Sequence, residues 1–562
     1  MAKRIDFKLE KDDYIELGRK ALEKNDVETA VNYFRTACRI SDDCESYTEL
    51  GIVYSKLHAL ALSDAVLYTA LSKSKSDEEE DEALWTLCSN ALEAGDIEVA
   101  SYYLRYLGED DAPVFQAAES ENPKFRVAAK NGNEYYDRQL YFANEALADN
   151  DFDEALRCVE DMEDAPEPYR EAAQKIQTLS FFAKGNFDRV VALSEEAVAK
   201  DPSADNRATL ATAYSIQERK QEADELLDGI ISEFASKGET LPVEIAFKVM
   251  PLLIAHERDR DVLYAAESFK TKPQVAYYGE IYSAQALYNT GDVQQAKRLM
   301  HRLDNIYGHP YVTEYYIKQF DANVERVEYS HELPPRAKVE MINRVKWIFA
   351  SDDLARIQDC LLNDEEFNRA LKWALEEGPD YFVCPALASL SRLSSTQVVK
   401  IFRDKLIYPE LSFDAMMIII DRLLDYGLHV DIDVVTQNRY KPVYFHLPLT
   451  YYELPRRLRQ AVFRAACDIV YTDEDPNTYL DRLCAIVGEF VALDGDGDLV
   501  WLNKNCKKIP VLRSVETMVG VLLSEVYFDD PDPDEDAMAR YNLNERTFRK
   551  YKRIFFGDDN ED

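Results

Sequence analysis

Between Tyr14 and Cys38 the apolar residues recur with helical spacing. Tyr14, Leu17, Gly18 and Ala21 stand at i, i+3, i+4 and i+7, which is one stripe of a helix. Asn25-Asp26 interrupts the pattern, and a second stripe follows in Val27, Ala30, Val31, Phe34, Ala37 and Cys38. The spacing therefore predicts two antiparallel helices joined by a tight turn, with Gly18 and Ala30 small enough for close backbone approach. Neither helix hides its stripe alone, whereas stacking on a like neighbour does.

Copies follow. Taking Ala30 as the reference, equivalents stand at Ser63, Ala100, Ala155, Val190, Ala223, Ala265 and Ala296, a period of roughly 34 residues with one large insertion. Asp26, Asp96, Asp151, Asp188, Asp261 and Asp292 fall at or near the start of each second helix, where a carboxylate accepts free N–H groups and suits the helix dipole.

These units resemble tetratricopeptide repeats (TPRs). The first carries Tyr14, Leu17, Gly18, Ala30, Phe34 and Ala37, the second Leu50, Gly51, Tyr54, Leu67 and Ala70, and the third Leu87, Ala91, Ala100 and Leu104. Later units keep Ala143, Ala146 and Ala155, then Phe181 and Ala197, then Ala211, Tyr214, Ala223 and Leu227, and last Ala284 and Ala296. The resemblance covers about the first half of the chain and lacks most of the prolines that end such repeats. The helix from Phe413, its closing Gly427 and the stretch that follows to His446 are similar to segments of uncharacterised bacterial TPR-containing proteins.

The expected fold is all-α. A TPR-like αα-hairpin solenoid spans 1–307, with an insertion at 108–133. A second helical module spans 308–453, and alternation in Val430, Ile432 and Val434 predicts one short β-hairpin within 429–446. The region 454–562 returns to helix and ends in a segment resembling half of a helix-turn-helix, with Asn544 as N-cap.

Composition narrows the function. Over 562 residues there are 18 Gly and 21 Pro, few breakers for so long a chain. A net charge of −39 disfavours nonspecific contact with nucleic acid or anionic membrane, both polyanions. Nine dispersed cysteines without CxxC spacing, no signal-like start and no long apolar run suggest a cytoplasmic protein that neither spans nor binds membrane.

Candidate chemistry is sparse. Asp494, Asp496 and Asp498 alternate as in a calcium loop, but Leu499 replaces the turn glycine and Asn505 the bidentate glutamate, so a turn between helices is expected. Neither HExxH nor a phosphate-binding glycine loop occurs, and no cofactor or metal is expected. The chain reads as a non-catalytic protein–protein interaction scaffold. An enzyme would need a deep polar pocket in the 330–450 module. The alternative is a DNA-binding regulator using Arg546, Arg549, Lys550 and Arg553, although acidic residues flank that helix on both sides.

In TPR folds the first helix of each pair lines the concave groove. The resemblance thus assigns Asp12, Ile15 and Arg19 to the groove from unit one, and Glu45, Thr48 and Ile52 from unit two. Glu82, Trp85 and Ser89 follow from unit three, and Asp137, Leu140 and Asn144 from unit four. Acids mixed with Ile15, Trp85 and Leu140 favour a basic or amphipathic peptide partner.

Overall fold

A computed structural model of the chain describes residues 9–108, 134–162, 165–307, 310–351, 353–495, 497–502 and 506–557. Three helical hairpins come first: α1 (Lys11–Glu23) with α2 (Val27–Ile40), α3 (Cys44–Lys56) with α4 (Leu60–Leu71), and α5 (Asp77–Ala94) with α6 (Ile97–Tyr106). Residues 109–133, nearly all of the expected insertion, lie outside the described residues. A second stack then pairs α7 (Glu134–Ala148) with α8 (Phe152–Cys158), α9 (Tyr169–Ala183) with α10 (Phe187–Lys200), and α11 (Ala204–Ile216) with α12 (Lys220–Ala235). It continues with α13 (Val243–Ala255) and α14 (Asp259–Phe269), α15 (Pro273–Asn289) and α16 (Val293–Tyr307), and closes on α17 (Pro310–Asp321).

One turn serves every hairpin. Asn25, His58, Gly95, Asn150, Gly185, Glu218, Glu257 and Gly291 all have positive φ at the bend between first and second helix. Asn and Gly enter this region at little cost, whereas His58, Glu218 and Glu257 are held there by the packing of their helices. The expected caps form at Asp26, Asp96 and Asp151, which accept from Thr29, Val99 and Glu154 N–H, and Asp292 accepts from Gln295. Asp188 is not the cap of its helix; Asn186 is, because the bend falls two residues earlier. Asp261 instead accepts from Arg258 Nε at 2.7 Å.

Close packing in the first hairpins centres on glycine against a large side chain. A Cβ on Gly18 would meet the Phe34 ring at 2.7 Å, and one on Gly51 would meet Leu67 Cδ2 at 2.5 Å. We predict that Gly51→Val lowers unfolding free energy by about 1–3 kcal/mol through overpacking, read as a shift in denaturant midpoint; an unshifted midpoint would contradict this packing.

The solenoid is not one unbroken ribbon. Helices α1 to α3 share one core, whereas Leu67, Leu87 and Tyr103 of α4 to α6 share theirs with Val435 and Tyr440 far along the chain, and α7 to α9 have a core apart from both. This N-terminal arm docks through its second helices onto distant parts of the chain. Arg35 donates to the Asn305 and Ile306 carbonyls of α16 at 2.9 and 3.3 Å, and Asn305 Nδ2 donates to Glu28.

The C-terminal half contains α18 (Pro335–Phe349), α19 (Leu354–Asn363), α20 (Glu365–Glu376), α21 (Asp380–Leu390), α22 (Thr396–Leu406) and α23 (Phe413–Leu423). The expected hairpin follows as β1 (His429–Thr436) and β2 (Arg439–His446), antiparallel with His429 opposite His446. Its tip is clasped by the arm. Tyr68 and Tyr103 hydroxyls both donate to the Asn438 carbonyl, at 3.1 and 2.9 Å, and Tyr102 donates to the Tyr440 carbonyl at 2.6 Å. Then come α24 (Arg456–Thr472), α25 (Pro476–Phe490), a second hairpin of β3 (Val491–Leu493) and β4 (Leu499–Trp501), α26 (Val515–Val526), α27 (Pro533–Arg540) and α28 (Glu545–Phe556). One hydrophobic core runs from Ile281 to Phe555, so no packing boundary falls at 307 or 453.

The second hairpin corrects the expectation of one. The aspartate-glycine run is its turn, not a link between helices: Asp494 N–H donates to the Asp498 carbonyl and Gly497 sits at φ 85°. Asp496 and Asn505 lie outside the described residues.

Candidate interaction surfaces

In the arm, α1, α3 and α5 lie side by side, and their first-helix face is left open because the second helices are docked. Asp12, Arg19, Glu45, Glu82, Trp85 and Ser89 are exposed there, and Ile52 is partly so. Ile15 and Thr48 are corrections: each is 3 % exposed, turned into the contact between neighbouring helices, and unavailable to a partner. Stacking narrows the free stripe of each first helix relative to an isolated hairpin.

Charge on this face is uneven. Arg19 Nε donates to Glu49 Oε1 at 2.7 Å, and this bond holds the guanidinium firmly charged. Lys11 binds Glu45 at 2.7 Å and Asp43 at 3.2 Å. Both cations are thus neutralised within the groove, while Glu82 appears in no ion pair among the described residues. Beside it Trp85 is 48 % exposed, and Leu92, two turns further along α5, is exposed as well. Behind this surface Asn90 Nδ2 donates to Ser63 and Asp64 while its Oδ1 accepts from Ser55, tying α5 to α3 and α4. Burial pushes the Asp64 carboxyl up to about 6. Glu49 and Leu92 were missed in the sequence, although both stand on helix faces that the repeat register defines.

Asp137, Leu140 and Asn144 are not part of this face. They belong to α7 in the second stack, where Leu140 packs on the local core and Asn144 Nδ2 donates to the Leu140 carbonyl. The second stack has its own groove, with a cavity of about 540 Å³ lined by Lys175, Leu179, Asp205 and Lys248 among others.

Further along, that groove is filled by the chain itself. Gln285 stands to Ala296 as Arg19 stands to Ala30, the same groove position in the last hairpin. The extended segment 324–334 lies on this face of α15. Asn289 exchanges two hydrogen bonds with the backbone of Val327 (2.9 and 3.1 Å), and Gln285 does the same with Ser330 (2.6 and 3.2 Å). Asp259 takes both Arg326 guanidinium nitrogens, at 2.6 and 2.7 Å, together with the Tyr329 hydroxyl at 2.7 Å. Each amide side chain replaces the pair of bonds that a neighbouring strand would make.

The basic end is assembled as a helical corner. Phe548, Tyr551 and Phe555 of α28 are buried, and Arg546, Arg549, Lys550 and Arg553 are exposed on the other side. Arg549 is paired with Glu545 at 2.6 Å and neighbouring Lys552 with Asp534, so part of this charge is already compensated. In the 330–450 module a cleft of about 250 Å³ opens between α20 and α22. Among the described residues no group of three or more His, Cys, Asp or Glu side chains is placed to hold a metal ion, and no helix is long and apolar enough to cross a membrane.

Stacked αα-hairpins with a common bend and an open first-helix face define a TPR-type helical repeat structure. No protein-family model matches the sequence, and no curated protein matches it. Solved structures similar to it include TPR proteins. A tetratricopeptide repeat protein from Parabacteroides merdae is 13 % identical and covers 55 % of this chain and 98 % of its own, with a TM-score of 0.20. The P58(IPK) TPR domain is 13 % identical over 65 % and 97 %, with a TM-score of 0.21. Yeast Tom70 is 14 % identical over 74 % and 88 %, with a TM-score of 0.18. The class rests on the hairpin geometry itself.

Proposed function

We propose that this chain is a non-catalytic interaction scaffold whose N-terminal arm receives a basic or amphipathic peptide of a protein partner. The observation that carries this reading is Trp85, half-exposed beside Glu82 on a face whose two cations are already neutralised. An exposed indole in a groove is an anchor of the kind that dominates peptide affinity, and the unpaired Glu82 carboxylate favours Lys or Arg beside it. Docking of the arm by its back supports the reading, because it fixes the arm while leaving this face to solvent. Glu45 contributes less than its position suggests, since Lys11 holds it.

The test uses a synthetic amphipathic lysine–leucine peptide and the full chain. Trp85→Ala is expected to weaken binding by about tenfold or more, and Glu82→Lys to weaken it in a salt-dependent manner. Affinity unchanged in both variants would reject the groove as the site.

A further inference from the structure

Trp85 is exposed for a reason that the first two hairpins make plain. It stands to Ala100 as Ile15 stands to Ala30 and Thr48 to Ser63. Ile15 and Thr48 are each 3 % exposed, turned into the contact with the first helix of the following hairpin, whereas Trp85 is 48 % exposed. What covers this register is therefore visible in the arm itself. α3 lies along α1, with Lys11 on Glu45 and Arg19 Nε on Glu49, both at 2.7 Å. α5 lies along α3 in the same way: Cys44 Sγ meets the Glu79 carbonyl at 3.2 Å, and Ser55 Oγ donates to Asn90 Oδ1 at 2.6 Å. In both pairs the contacts advance together along the two helices, so the helices run parallel. On α5 the corresponding flank is a stripe of exposed residues, Glu78, Glu82, Trp85, Ser89 and Leu92. They alternate four and three apart, which is the spacing of a helix–helix seam.

The chemistry of the stripe changes along its length. Glu78 and Glu82 enter no ion pair among the described residues. Trp85 and Leu92 supply apolar surface one heptad apart, and the small Ser89 between them allows close approach. A helix continuing the stack meets carboxylates first and apolar side chains after them. We propose that this flank of α5 takes an amphipathic helix of the partner, laid parallel to α5 as α5 lies on α3, with Lys or Arg in its first turns and leucine-like side chains beyond. The inference rests on the arm being the binding site, and it adds the conformation and direction of what binds there.

Two peptides of one composition test it: lysine and leucine placed at heptad spacing, and the same residues in strict alternation, which suits an extended chain. In calorimetric titrations of the full chain, the heptad peptide is expected to bind saturably and the alternating one about tenfold or more weakly. Trp85→Ala and Leu92→Asp are each expected to weaken the heptad peptide by about tenfold or more; both positions are exposed, so neither substitution disturbs a core. Equal affinity for the two peptides, or indifference to Leu92→Asp, would overturn the helix while a loss with Trp85→Ala kept the groove as the site. Indifference to Trp85→Ala would overturn both. Binding that appears only after residues 109–133 are replaced by a flexible linker would give the flank to this chain, and a dimer dissociated by Trp85→Ala would give it to a second copy; either overturns the proposal.

Discussion

Replacing Gln285 and Asn289 together by alanine is expected to free residues 324–334 from α15 and to cost about 2–4 kcal/mol of stability. Gln285 is fully buried, and the two side chains supply four hydrogen bonds to the Val327 and Ser330 backbone. Removing them leaves those peptide groups unpaired beside an apolar core that includes Val327 and Leu333. Hydrogen exchange reads the result directly. The Val327 and Ser330 amides should exchange faster in the double variant, while amides of α1 to α6, whose cores include no residue of this segment, keep their protection. Unaltered exchange at these two amides would mean that the buried ends, and not the amide clamps, hold the segment.

A second large effect is expected at Lys441. This side chain is 1 % exposed, and its Nζ donates to the Val470 and Tyr471 carbonyls at the end of α24, at 3.1 and 3.5 Å, with no carboxylate in ion-pair contact among the described residues. Burial brings the ammonium down to about 8, helped by Arg439 and opposed by Asp473 and Glu474. The unfolded chain, with an ordinary lysine near 10.5, binds more protons than the folded one between these values. Stability from this group is therefore lowest below pH 8 and rises as pH climbs from about 8 to about 10.5, by at most about 3 kcal/mol. Lys441→Met lacks this titration. The stability difference between wild type and variant should move in favour of wild type across that window, and a flat difference would show that Lys441 keeps an ordinary proton affinity.

The hairpins were legible because their signal is local. Apolar spacing, the Asn-Asp and Gly-Asp bends and small residues at Gly18 and Gly51 all act within one repeat, and they placed the paired helices from α1 to α16. Trp85 was placed on the groove by register alone, and it is exposed there. Gln285 stands at the same register position in the last hairpin, eleven residues before Ala296, but nothing local to it signals the segment that it binds. Ile15 and Thr48 went astray because the width of a free stripe depends on how closely the next hairpin stacks, a tertiary quantity. The second β-hairpin escaped because its strands are three residues each, too short for alternation to register. Docking of the arm on β2 had no sequence signature, since it joins Tyr68, Tyr102 and Tyr103 to backbone carbonyls more than three hundred positions later.

That clasp bears on how the molecule is made. During synthesis the arm leaves the ribosome complete, its hairpins able to close, while the carbonyls that receive its three tyrosine hydroxyls have not yet been translated. The nascent chain carries these three hydroxyls without their acceptors until Tyr440 emerges.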